Sequence, residues 1–240
     1  MVKPISLHAS ASGPRAGNVS YLGAGRCRRK FELYYPEGFA DDAYLIAERA
    51  IKERAHQAWQ RLLGPQDFRK LLARGAYRQV VDTALRIEAQ AGLLFSFEKM
   101  ALREALRSPA GARLFAHELY PFLYERGSFA RRFGDWAQAL AELPRPSGRA
   151  LGWPALTAFG FIGRPDRHLL LKPRVTRAAA RAYGFDLRYE SPPVWPVYES
   201  LLTFAAIIRR DLARHPGFQA RDMLDVQAFI WVQGAAEYAG

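Results

Sequence analysis

Residues 172–184 read KPRVTRAAARAYG, and this stretch fixes the structural period of the chain. Pro173 stands where a first helical turn tolerates proline, because the N–H it lacks would have no intrahelical acceptor. Gly184 stands where a left-handed C-cap belongs. Between them Arg174, Arg177 and Arg181 recur at three- and four-residue steps and share a face. Val175, Ala178, Ala179 and Ala182 form the opposite face, small enough for close approach to a neighbouring element. The spacing predicts a short helix that buries small side chains and holds three guanidinium groups outward.

The same period runs outward in both directions. On the C-terminal side, Pro192 and Pro193 forbid helix, and apolar steps from Tyr198 to Leu212 predict one over about 194–214. His215-Pro216-Gly217 ends it, and Asp222 caps a last helix over about 223–233. On the N-terminal side, RPDRH is a polar turn, and WPALTAFGFIG predicts a helix broken at Gly160–Gly163. Earlier helices are expected over about 43–63, 65–74, 76–90, 109–125 and 128–142. Another carries the stripe Phe97, Met100, Ala101 and Ala105. Asp41 or Asp42 caps the first of them, and no strand pair or internal repeat is visible. The fold class is therefore all-α. Residues 1–20 read as a flexible tail and 143–152, LPRPSGRALG, as a linker. The expected architecture is two helical lobes, 21–142 and 153–240, around a mostly orthogonal helix bundle.

The chain has 240 residues, ample length for a core. Its single cysteine, Cys27, excludes an internal disulfide and a Cys-based zinc site within one chain. No apolar run approaches the roughly 20 residues of a membrane span, and MVKPISLHAS lacks a signal-peptide core. The expectation is a cytoplasmic protein with no membrane association.

Net charge is +12, and 29 of the 35 basic residues are arginine. The charge sits in blocks. Residues 1–30 hold six basic groups and no acid, and residues 144–188 hold nine basic groups and two acids. The remaining two segments, 31–143 and 189–240, are nearly balanced at +1 and −2. Such concentration is the footprint of a polyanion partner, with nucleic acid first and DNA ahead of RNA. An acidic protein partner satisfies the same charge.

The candidate phosphate-binding set is Arg174, Arg177 and Arg181, with Arg164, Arg167, His168 and Lys172 on the preceding turn. The run RCRRK supplies Arg26, Arg28, Arg29 and Lys30 as a basic arm. Phosphate contacts of this kind fix register and carry no base code by themselves. Phe31, Tyr34 and Tyr35 beside the arm read as core, with a base-stacking platform as the alternative. Arg26 and Arg28 flank Cys27 and favour its thiolate. Glu98 and Lys99 read as a half-buried ion pair. Asp222 and Asp225, with Gln227 two residues on, read as a helix cap and a first-turn acid, or alternatively as a general base or metal ligands facing a pocket. No histidine spacing suits a metal, and GxGxxG, P-loop and GxSxG patterns are absent, so no metal or cofactor is expected. No catalytic residue is assigned. Asp222, Asp225 and Lys172 are the candidates, the last as a Schiff-base amine if desolvated.

The segment from Leu156 to Tyr183, about 30 residues, resembles the central part of the helix-hairpin-helix DNA glycosylases. The hairpin analogue is Phe159-Gly160-Phe161-Ile162-Gly163, and Leu171-Lys172-Pro173-Arg174-Val175 opens the following helix, with Arg181 and Tyr183 later in it. The resemblance implies a hairpin on the DNA backbone. Lys172 or Pro173 stands where that superfamily has its catalytic aspartate, and its L-P-G-x-G hairpin is not matched. The expectation is a DNA-binding helical protein of repair, modification or defence. The alternatives are a glycosylase-like enzyme on a modified or damaged base, and a module that binds an acidic protein.

Overall fold

A computed structural model describes residues 21–144 and 151–238. The expected tail, 1–20, and residues 145–150 of the expected linker lie outside the described residues. Every regular element among the described residues is a helix. The order is α1 (Ala24–Tyr34), α2 (Asp42–Tyr44), α3 (Ala50–Leu63), α4 (Pro65–Ala73), α5 (Tyr77–Ala91), α6 (Ser96–Ala105), α7 (Pro109–Tyr124) and α8 (Phe129–Glu142). It continues with α9 (Trp153–Gly163), α10 (Pro173–Tyr183), α11 (Trp195–Leu212) and α12 (Met223–Gly234). A π-helical segment, Leu45–Arg49, joins α2 to α3, and short 3₁₀ turns lie at Gly38–Ala40 and Ala236–Tyr238.

Local chemistry sets these boundaries. The Asp41 carboxylate accepts from Ala43 N at 2.9 Å and Tyr44 N at 3.3 Å, satisfying donors that have no intrahelical partner. Ser108 and Ser128 cap α7 and α8 in the same way. Glu98 reaches back to accept from Phe95 N at 2.8 Å, which starts α6. Gly92 and Gly184 end α5 and α10 with φ of 65° and 85°, a conformation that costs glycine little.

The two expected lobes share one hydrophobic core. His56 Nδ1 lies 2.7 Å from Ile162 O, and Gln60 Nε2 donates to Gly163 O at 2.9 Å, tying α3 to α9 across the expected boundary. The indole of Trp136 on α8 donates to Leu156 O at 2.8 Å. Helix α1 packs with the C-terminal helices: Gly23 N donates to Tyr183 O at 3.2 Å and Gln233 Nε2 to Cys27 O at 3.0 Å. Phe31 of α1 centres an aromatic cluster with Phe39, Tyr44, Phe218 and Phe229.

Three elements differ from the sequence expectation. Helix α9 runs unbroken through Gly163, with every residue buried. A Cβ on Gly160 would lie 2.8 Å from His168 Nδ1, and one on Gly163 would lie 2.9 Å from Trp59 Nε1, so these glycines permit packing and do not break the helix. The run RCRRK is no extended arm, because Cys27 and Phe31, four apart, bury one face and wind it into α1. Helix α6 buries Ala101, Leu102 and Ala105, and it turns Phe97 and Met100 outward, 58% and 60% exposed.

Candidate functional site

Helix α10 presents Arg174, Arg177 and Arg181 to solvent and buries Val175, Thr176, Ala179, Ala180 and Tyr183. The small buried face allows α12 very close. A Cβ on Gly234 would lie 2.1 Å from Val175 O. The Arg177 guanidinium lies 5.0 Å from the centroid of the Tyr189 ring. At the C-terminal end of α10, Arg26 Nη2 donates to Ala182 O at 3.4 Å, where a cation favours the helix dipole. The two basic blocks of the sequence thus adjoin in space. Arg26 and Arg29 are exposed, Lys30 is half-buried, and Arg28 is held by Glu32 four residues on.

The preceding turn does not extend this face as expected. Arg164 binds Asp166 through Nε at 2.9 Å and Nη2 at 2.8 Å, and Nη1 reaches Leu123 O at 3.2 Å. Arg167 Nε shares the same carboxylate at 3.3 Å. Partial burial raises the Asp166 pKa, but the hydrogen bond and charge of Arg164, with Arg167, outweigh it and bring it to about 2. His168 is fully buried, its ring 4.5 Å from that of Phe122 and 4.9 Å from that of Phe129. Burial lowers its pKa to about 3, so it is neutral and out of a phosphate's reach. The hairpin analogue Phe159–Gly163 lies inside α9, where no backbone is open to a phosphate.

Lys172 also leaves the exposed face. Its backbone N–H donates to Thr176 Oγ1 at 3.2 Å, and its side chain turns inward. Nζ lies 4.0 Å from the Phe95 ring centroid and 5.7 Å from that of Trp231, an aromatic seat for a cation. Among the described residues no carboxylate lies within ion-pair distance of it. Burial lowers its pKa, against a smaller opposing pull from Glu98 and Glu88. Glu88 is itself buried. It accepts from Leu94 N at 2.8 Å and faces Lys99 Nζ at 3.8 Å, and burial raises its pKa. Lys99 therefore pairs with Glu88 and not with the expected Glu98.

Two hollows meet at Lys172 and Trp231, which line both. One is a cavity of about 180 Å³ that also touches Glu48, Lys52 and Gln227. The other is an open groove of about 650 Å³ from Phe95 and Phe97 to Arg174 and Tyr189. Gln227 is 3% exposed, and neither atom of its carboxamide has a hydrogen-bond partner among the described residues. Trp231 and Phe95 were outside the sequence-derived set, and Gln227 entered it only beside the two acids of α12. A lone glutamine inside the apolar run VQAFIWV was the one available signal.

The candidate acids are tied up elsewhere. Asp222 caps α12, accepting from Leu224 N at 2.9 Å, and pairs with Arg49 Nη2 at 2.9 Å. Asp225, fully buried, is more than a first-turn acid: it accepts from Tyr44 Oη at 2.5 Å, Arg49 Nη1 at 2.7 Å and Arg221 Nε at 2.9 Å. Burial raises its pKa, but Arg221, Tyr44 and Arg49 together overcome this and lower it. The pair clamps α12 to the α2–α3 rod. Cys27 is equally far from reaction, because burial overrides its basic neighbours Arg26 and Lys30 and pushes the thiol up to about 11. No helix among the described residues is long and apolar enough to cross a membrane. Compared with known protein families, curated proteins and solved structures, the chain matches none.

Proposed function

We propose that the protein binds nucleic acid, DNA ahead of RNA, through the outward face of α10 and the adjoining end of α1. The observation that carries this reading is the row Arg174, Arg177 and Arg181, solvent-exposed and joined at one end by Arg26. Phosphates supply the complementary charge, and a backbone-tracking row needs no base-specific group. Fluorescence-anisotropy titration of labelled DNA at two salt concentrations tests it. Binding should weaken steeply with salt, and replacing all three arginines by alanine should reduce the log–log salt slope by roughly one unit per lost contact. Unchanged binding by the triple variant overturns the assignment. Capture of an acidic protein that survives nuclease treatment would instead favour a protein partner.

A second reading rests on Lys172. A buried amine of lowered pKa on the wall of a groove is suited to attack a carbonyl and form a Schiff base. This supports a glycosylase-like enzyme with Lys172 as its amine, and neither Asp222 nor Asp225 supports one, since arginines hold both. Borohydride trapping on DNA containing an abasic sugar should yield a covalent adduct that Lys172→Ala abolishes. No adduct removes this reading and leaves binding untouched.

A further inference from the structure

The arginine face accounts for affinity to phosphates but not for what lies beside it. The groove holds exposed aromatic groups, and the cavity holds a buried carboxamide without a hydrogen-bond partner among the described residues. Phe95 and Phe97 are 52% and 58% exposed, and their rings are nearly parallel, 13° apart with centroids at 6.0 Å. Large apolar rings held open to water beside a cationic wall are the ingredients of a base-stacking platform. In a duplex each base already has both faces stacked, so such rings find nothing to cover. An unpaired strand offers them free faces.

The cationic wall is continuous with the proposed phosphate face. Lys172 and Arg174 line the groove, as does Tyr189, over which Arg177 lies. Two carboxylates also line it. Glu98 is engaged by Phe95 N and Glu237 by the Trp231 indole N–H, and both would repel phosphate, which leaves the Arg174 side for the backbone. At the inner end, across Lys172 and Trp231, the cavity of about 180 Å³ has room for a single ring system. Gln227 lines it, and neither its amide NH₂ nor its carbonyl oxygen has a hydrogen-bond partner among the described residues; a base edge carries the complementary donor and acceptor. A buried carboxamide without a protein partner favours a polar group opposite it, and a base edge supplies one.

We propose that the groove and cavity hold a single unpaired nucleic-acid strand, its bases stacked on Phe95 and Phe97 and one base edge facing the Gln227 carboxamide. This rests on the nucleic-acid reading above and deepens it from phosphate binding to strand type.

The test is anisotropy with fluorescein-labelled homopolymeric strands of each base and a duplex of equal length, using the full chain. Single strands should bind about tenfold more tightly than duplex, the order expected from one stacked base. The Phe95→Ala/Phe97→Ala double variant should remove that preference and leave duplex affinity in place. Phe95 also covers Lys172, so the single Phe97→Ala variant, whose exposed ring leaves the melting temperature unchanged, is the folding control and should lose part of the same preference. Gln227→Leu, a buried apolar replacement of similar size, should keep affinity for the tightest homopolymer within a few-fold of the others, flattening base discrimination. Equal affinity for strand and duplex, or a strand preference indifferent to the double variant, overturns the proposal while leaving the arginine face standing. Absence of binding to either form at low salt overturns both.

Discussion

Lys172 shows how far one side chain departs from its sequence context. Three arginines follow it on α10 and point to water, yet Lys172, just before that helix, is buried against Phe95 and Trp231. Its lowered pKa means that the unfolded chain holds the proton more firmly than the native one. Between the native value and the ordinary 10.5, stability therefore rises with pH, and the penalty is full below that window. Lys172→Met should raise the melting temperature at pH 7 by about 2 °C, in line with apolar replacement of buried charge. The gain should fade as the pH approaches 10, and a thermal melt series across pH checks both statements. Cys27 makes the opposite point. Its neighbours in sequence favour a thiolate, but its neighbours in space exclude water, and burial wins. The thiol should resist alkylation at pH 8 in the native protein and react fully in denaturant, as read by mass spectrometry.

At the scale of elements, the close pairing of α10 and α12 decides how rigidly the arginine row is held. Gly234→Ala would drive a methyl into the Val175 carbonyl and should cost about 3 kcal/mol, seen as a melting-temperature drop of roughly 6–12 °C. The clamp at the other end of α12 is electrostatic. Asp225→Asn should cost about 3 kcal/mol in urea denaturation, because Arg49 and Arg221 lose a buried counter-charge. Asp225 has a depressed native pKa, so its contribution is complete above the ordinary carboxylate range and disappears as pH falls through that depressed value. Acid unfolding of the wild type should therefore be steeper than that of the variant. Helix positions were legible wherever a cap and a period agreed, as at Asp41, Ser108 and Gly184. They were misread where tertiary packing overrode local character. Gly160 and Gly163 sit inside a helix because His168 and Trp59 press on them, and α6 turns its larger apolar side chains outward. The arginine row could be read from spacing alone. The groove could not, since Phe95, Lys172 and Trp231 come from three distant segments that only the fold brings together.

For the whole molecule, residues of both expected lobes belong to one core. Division at residues 143–152 would strip α1 from α10, α11 and α12 and cut the α3–α9 hydrogen bonds. Residues 153–240 expressed alone should lack a cooperative thermal transition, and adding back 1–142 in trans is the control that shows the missing partner. The union of α1 with α12 also orders events during synthesis. Cys27 waits for Gln233, and Tyr35 for Tyr238, so α1 gains these partners only after α12 has been made. Contacts of such separation form late. The cationic face that joins Arg26 to α10 is consequently settled only once α12 is in place, and a nascent chain that stops short of it carries its two basic blocks apart.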